Sequence, residues 1–466
     1  MIEIGVFHNG ASDLPVKVTA DGVAINVGDL AATQESAARV QVAQIRQGVL
    51  ADRLGFDYFF MTEHHFQPEG AEYSPNPLQS ETAIAALTKR IRFGQAANIL
   101  TWHHPVRIAE QAAMLDVISG GRLEFGMGRG YQPRETEVLG GQLGATIQDQ
   151  ERNRAFFEEA YEIIMKCWTQ DSFSHHGEFF TLPPSYTRWN HQQTIAYFSE
   201  PGNGRSLEDV IAVGAPDMYS QGSPVLATTT KLRELQVYPQ PLQKPHPQVW
   251  EPLTSPRSIK FAAQNGVNGY FIVEPKSRLR QNIELYYEEA EKAGWPDRLD
   301  RGPFKFGWDA EKRRGIITGR YVHIADKGIG DLDRAARSLE VQWDYYGPFG
   351  FAGVLADAGE EVDMMRKVTA QELRDRGVAL HGSVDYVIEE ILSLKTSCGY
   401  EDFLFNAWFE HGGFTTNEIE DQMLCFAEEV MPVLRRECGG SPEKPESVVE
   451  LVPEVRRMPA GVGGAA

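Results

Sequence analysis

The sequence predicts an α/β protein built on a (β/α)8 TIM barrel, with a long insertion after the fourth helix, a lid segment late in the chain and a flexible C-terminal tail. Two observations carry that prediction. About eight apolar runs of strand type alternate with eight or more amphipathic helical stretches, the count such a barrel needs. The length of 466 residues exceeds the roughly 250 of a typical barrel, and the surplus falls in a few irregular segments. Residues 1–437 are assigned to the barrel, with 171–247 as the insertion and 347–382 as the lid; 438–466 form the tail. A doubly wound open sheet shares the alternation and is the alternative, because strand order is invisible in sequence.

The elements follow in order. IEIGVF is a buried-strand pattern. From Ser36 to Leu54, Val40, Ala43, Ile45, Val49 and Leu54 recur near helical spacing, and Gly55 stops the run. FDYFFM, from Phe56 to Met61, is the second strand, followed by a helix from about Leu78 to Leu87 and the strand IRFGQAANIL. Pro105 suits the first turn of the helix VRIAEQAAMLDVI, which Gly120 and Gly121 end. RLEFGM is the fourth strand, and Asn153 to Trp168 a long amphipathic helix. From Asp171 to Pro247 the rhythm breaks into Pro, Gly, aromatic and His residues; so long an irregular stretch points to function. QVWEPLT resumes it, followed by a helix from Pro256, GYFIV, and a helix from Ser277 to Ala293. IITGRYVHIA, a helix from near Asp331, the broken region Gly347 to Gly382, the helix VDYVIEEILSLK, EDFLFNA and a helix from Glu418 to Arg436 complete the series.

Composition narrows the function. Hydrophobic residues at 42% supply a sizeable core, so the chain is globular. With 45 basic and 65 acidic side chains the net charge is −20, and no basic stripe offsets it. Nucleic-acid binding, which needs clustered Lys and Arg, is therefore not expected. Cys167, Cys398, Cys425 and Cys438 are far apart, so neither a disulfide framework nor a zinc site is expected. No apolar run is long enough for a membrane span, and the N-terminus begins directly as a strand. A soluble cytoplasmic protein is the expectation.

Three motifs sit at strand ends, where barrels place their chemistry. Glu63-His64-His65-Phe66 follows strand two. It does not make H-E-x-x-H, and adjacent side chains diverge, so no metal site is expected; one His acting as acid, base or hydrogen-bond donor is the functional reading and a structural role its alternative. Gly126-Met127-Gly128-Arg129-Gly130 follows strand four; Tyr131 stands where a dinucleotide fingerprint requires Gly. What remains is a Gly-lined strand end presenting Arg129, whose guanidinium fork suits phosphate. Thr254-Ser255-Pro256-Arg257-Ser258 ends strand five, and Ser255 can cap the helix that follows. Hydroxyls at a helix N-terminus beside Arg129 would enclose one phosphate, favouring a mononucleotide such as FMN. His103-His104 and His175-His176 are read as solvated or loop residues, and Trp102, Trp250, Trp408 and Phe409 as possible walls of an apolar pocket, with core packing the alternative.

FDYFFMTEHHF and IRFGQAANILTWHHPVRIAEQAAMLDVISGGRLEFGMGRGYQPRE resemble the bacterial luciferase-like family of flavin-dependent monooxygenases. So do SPRSIKFAAQNGV, GSVDYVIEEILSLKTSCGYEDFLF and CFAEEVMPVLRRE further on; together they cover most of the chain outside the insertion and the tail. The resemblance implies a barrel that takes reduced FMN from a separate NAD(P)H-dependent reductase. It implies that His64 is the catalytic imidazole, that Arg129, Ser255 and Ser258 hold the phosphate, with Glu63 and Thr254 beside them in the cofactor set, and that Ala96-Ala97 is a non-prolyl cis peptide beside the flavin ring. Asn98 follows it as a ring contact. Gly128 departs from the family's light-emitting members, which carry Cys there, so aldehyde-dependent light emission is not carried over.

The implied activity is a two-component monooxygenase that uses reduced FMN and O2, through a flavin C4a-(hydro)peroxide, to oxygenate an organic and largely apolar substrate. Baeyer–Villiger chemistry and hydroxylation or heteroatom oxidation both remain open. A deazaflavin-dependent oxidoreductase of the same superfamily and a non-catalytic flavin-binding barrel are the alternatives. A homodimer is expected from the resemblance, and the 171–247 and 347–382 segments are expected to hold substrate specificity.

Overall fold

The computed structural model describes residues 2–189, 191–203, 206–213, 230–294, 316–326, 328–399 and 403–439. Eight parallel strands form its centre: β1 (Ile2–His8), β2 (Tyr58–Met61), β3 (Arg92–Gln95), β4 (Leu123–Gly128), β5 (Gln248–Pro252), β6 (Asn268–Phe271), β7 (Ile317–Ile324) and β8 (Phe403–Trp408). Each pairs with the next in sequence. β8 returns to pair with β1, Phe405 opposite Ile4, and the ring closes. An open sheet would leave two edges, so the doubly wound alternative is excluded. All eight predicted strand segments fall on these strands in order.

Strand residues alternate between two cores, as the period of two requires. Ile2, Ile4 and Val6 of β1, with Phe59 and Met61 of β2, pack outward against the helices. Phe7, Tyr58 and Phe60 point into the barrel, where they meet Tyr270, Tyr321 and Trp408. Gly94 on β3 is needed for this filling, because a Cβ there would run into the Phe60 ring.

The outer layer contains α1 (Leu30–Leu54), α2 (Pro77–Leu87), α3 (Pro105–Ser119), α4 (Gln150–Thr169), α5 (Pro256–Gln264), α6 (Lys276–Lys292), α7 (Leu332–Tyr346) and α8 (Val384–Cys398). Helix α1 starts six residues before the predicted Ser36, because Asp29 caps it: its Oδ1 accepts from the Ala32 amide at 2.9 Å. The added turn is largely exposed and has no apolar periodicity to betray it. The last predicted helix runs from Thr416 to Cys438 with a π-helical turn over Phe426–Val430.

Three segments differ from expectation or extend it. The third strand is not continuous: it stops at Gln95, and Asn98–Ile99 re-pairs with β4 after the cis peptide Ala96-Ala97. Within the predicted lid, Ala379–Gly382 is a parallel strand beside the outer end of β7, a short apolar run hidden among irregular residues. The insertion docks on α4, where the Phe179 and Phe180 rings meet Phe156 at 5.0 and 5.3 Å. The predicted tail beyond Gly439 lies outside the described residues. Among the described residues no helix is long and apolar enough to cross a membrane.

Candidate active site

A cavity of about 240 Å³ opens at the C-terminal ends of the strands, and every one of the eight strands or the loop after it contributes to its wall. Its character changes around the rim. On the β4–β5 side lie Arg129, Glu251, Thr254 and Ser258. On the β2 side lie Thr62 and His64, joined by Glu72 from the loop before α2. The β7, β8 and β1 ends supply Tyr321, Trp408 and Phe7.

The β4–β5 side gathers positive charge. Arg129 is half-buried, and its Nη1 donates to Asn153 Oδ1 at 3.5 Å. Burial and then the neighbouring Arg154 charge press its pKa below the ordinary value. Arg154, in the second turn of α4, is only 3% exposed; its Nη1 lies 3.6 Å from Glu158 and makes no hydrogen bond. Two such guanidinium groups repel each other and are relieved by an anion between them. The buried Glu251 carboxyl also faces this pair: burial raises its pKa to about 8 against the pull of Arg154 and Arg129. Helix α5 opens on the same side. Ser255 is its cap, with Oγ accepting from the Ser258 amide at 3.2 Å, and Ser258 Oγ reaches back to the Ser255 backbone.

His64 occupies a different environment. Its Nε2 lies 3.3 Å from Glu72 Oε1, and its Nδ1 lies 3.4 Å from Glu135 Oε1. Burial opposes charge on the ring, but Glu72 and Glu135, with Glu63 behind them, outweigh it and raise the pKa to about 9. Each ring nitrogen thus faces a carboxylate, and the ring is held toward its charged form. Glu72 is held in turn by Asn9 Nδ2 at 3.1 Å, the Tyr346 hydroxyl at 3.0 Å and Gln67 Nε2 at 2.8 Å. Burial nonetheless leaves its pKa above the usual value.

Glu63, the next residue along, does other work. His103 Nε2 donates to its Oε1 at 2.7 Å, and the Ile99 amide to its Oε2 at 2.7 Å. Burial disfavours its charge, but His103, His65 and the Ile99 amide overcome that and pull its pKa down to about 2. It therefore ties strand two to the chain just beyond the cis peptide. Ala96 and Ala97 themselves form part of the cavity wall.

Comparison with known proteins agrees with this geometry. Residues 25–201 match the family model described as luciferase-like monooxygenase. Over those residues the chain carries a luciferase-like monooxygenase domain. The family is one of oxidoreductases. The oxygenase component of the flavin-dependent trigonelline monooxygenase of Acinetobacter baylyi is 27% identical to this chain, over 78% of it and 81% of the relative. An uncharacterised protein of Sinorhizobium fredii is 29% identical over 51% of this chain, and the match spans about half of that relative's length, 52%. Among solved structures, the monooxygenase RslO1 from Streptomyces bottropensis shares the fold, with a TM-score of 0.60 at 20% identity over 92% of this chain and 99% of that one.

Within this luciferase-like barrel the structure brings His64, Ala96, Ala97, Arg129, Thr254 and Ser258 to one cavity. Three other predicted residues stand off its wall. Glu63 is engaged as described, Ser255 caps α5, and the Asn98 amide donates to Gln95 Oε1 and the Gly126 carbonyl, both at 2.9 Å. Of the histidines read as solvated or loop residues, His103 lies in a loop and binds Glu63, whereas His175 is buried, 3.1 Å from Glu159. Of the proposed aromatic walls only Trp408 lines the cavity. Trp102, Trp250 and Phe409 are core, the Trp250 indole donating to Glu124 at 2.7 Å. Sequence reasoning missed Arg154, Glu251, Glu72 and Glu135. Arg154 gave no local signal, since it lies in the second turn of α4, beyond several short helical segments that follow strand four.

Proposed function

We propose that this luciferase-like protein is the oxygenase of a two-component system, using reduced FMN and O2 to oxygenate an organic substrate. One observation carries the reading: a single cavity joins Arg129, with the buried Arg154 charge acting on it, to the buried His64 imidazole. When bound, reduced FMN supplies the electrons that activate O2 and deliver one oxygen atom to the substrate. Arg129 and Arg154 would hold its phosphate, with Thr254 and Ser258 at the start of α5. Ala96 and Ala97 offer a flat backbone surface between the two ends. His64 has both ring protons and can give a hydrogen bond, or a proton, to an oxygen atom reacting in the cavity. Its carboxylate clamp then provides for its reprotonation. Phe351 and Val354, from the predicted lid, close part of the wall and help exclude water. The named oxygenase component among the relatives supports a separate reductase as partner.

The test is direct. Anaerobically reduced FMN is bound to the protein and mixed with O2 in a stopped flow. Bound cofactor is expected to reoxidise along a course distinct from free FMN, and candidate substrates to take up one atom of 18O from labelled O2. Reoxidation identical to free FMN would overturn the reading. So would hydride exchange with a reduced deazaflavin without uptake of O2.

A further inference from the structure

We infer that the β6–β7–β8–β1 side of the cavity selects a flat, positively charged ring, that is, a substrate with a quaternary or otherwise cationic heteroaromatic nitrogen. The inference rests on the reading of this cavity as the oxygenation site and adds its substrate class. It narrows the expected organic substrate to one that carries a cationic ring.

Three observations carry it. First, the wall opposite the arginines is aromatic: Phe7, Tyr321, Trp343, Tyr346, Phe351 and Trp408 all line it. These rings are already ordered against one another. Tyr321 stacks on Trp408 at 4.2 Å, Phe7 meets the edge of Trp408 at 4.6 Å, and Tyr346 meets Phe351 at 5.5 Å. Ring faces are negative, so a preorganised set of them attracts a cation held within reach.

Second, the same side carries buried acceptors that lack donors. Glu274, just beyond β6, is 1% exposed and its Oε1 has no hydrogen-bond partner; Asn9 Oδ1, just beyond β1, has none either. Arg320 donates to the Glu274 backbone carbonyl at 2.8 Å, not to its carboxylate. Unmatched buried acceptors are costly beside a neutral hydrocarbon and useful beside a cation. Third, among the described residues lining the cavity Arg129 is the only Lys or Arg, and it stands across the barrel at β4. An anionic ring would find no Lys or Arg among the described residues lining the aromatic side, where the Glu274 carboxyl is buried. The closed strand order puts β4 and β5 opposite β8 and β1, so the two chemistries occupy opposite rims.

Calorimetry on the FMN-loaded protein tests this with two probes of equal shape, N-methylpyridinium and toluene. The cation is expected to bind about tenfold more tightly or better. Glu274→Gln and Phe351→Leu should each reduce that preference while FMN affinity stays unchanged. Equal or tighter binding of toluene would overturn the inference. Displacement of N-methylpyridinium by FMN would overturn it too, since the aromatic wall would then belong to the cofactor. The binding readout needs no turnover. A bound cation with no oxygen chemistry would count against the proposed function alone, and oxygenation without cation preference against this inference alone.

Discussion

The two rims of the barrel mouth are built by opposite strategies. At β4–β5 the cations are only loosely satisfied: Arg129 reaches Asn153 at 3.5 Å, and Arg154 Nη1 has no hydrogen bond. At β2, by contrast, His64 is already satisfied between Glu72 and Glu135, at 3.3 and 3.4 Å. The first rim is primed to bind and the second is primed to donate. Neighbours in sequence show the same division: Glu63 is pulled down to about 2 and His64 up to about 9, because each is paired with the opposite charge in a buried site. Binding energy can therefore be gained at one rim without disturbing the protonation state at the other.

Breaking the first rim should give the largest effect. Arg129→Ala is expected to weaken FMN binding by about 2 to 3 kcal/mol, since hydrogen bonds between charged groups are the strong ones, and adding Arg154→Ala should weaken it further. Fluorescence titration of FMN measures both; unchanged affinity removes the anion seat. At the other rim, Glu72→Gln should lower the His64 pKa by roughly one to three units while leaving FMN affinity intact. Proton and nitrogen resonances of the imidazole report that shift, and a ring still titrating at about 9 would show that Glu72 is not its partner.

Two smaller effects sharpen the contrast. Because the folded-state pKa of His64 is raised from 6.5 to about 9, its stabilisation is fully present below pH 6.5 and is lost as pH rises through 9. Denaturant midpoints measured from pH 6 to 10 should fall over that window, and the fall should shrink in Glu72→Gln. Ser255→Ala removes only a helix cap and should cost about 1 kcal/mol of stability, with less effect on FMN affinity than Ser258→Ala. The reverse order would put Ser255, not Ser258, on the phosphate.

The same comparison explains what could be read from sequence. The barrel was legible because each strand is a short apolar run bounded by turn residues, and Gly126 to Gly130 and Thr254 to Ser258 are continuous segments whose chemistry is local. His64 was legible for its strand-end position. Its state was not, because Glu72 and Glu135 come from separate loops and only the closed barrel brings them to the ring. Glu63 was assigned to the cofactor for its neighbourhood, but its partners Ile99 and His103 lie across the neighbouring strand end. The aromatic wall was missed for a related reason: Phe7 and Trp408 are 401 positions apart and meet only because β8 closes onto β1. None of the described residues of the 171–247 insertion lines the cavity, whereas Phe351 and Val354 of the predicted lid do.

The account stands most directly on the claim that the β4–β5 rim is a seat for the FMN phosphate. Equilibrium binding of reduced FMN and reduced riboflavin to the native protein and to Arg129→Ala isolates that group, since the two ligands differ only in the phosphate. The native protein should bind FMN at least about a hundredfold more tightly than riboflavin, and Arg129→Ala should lose most of that difference. Equal affinity of the native protein for the two ligands would contradict the account.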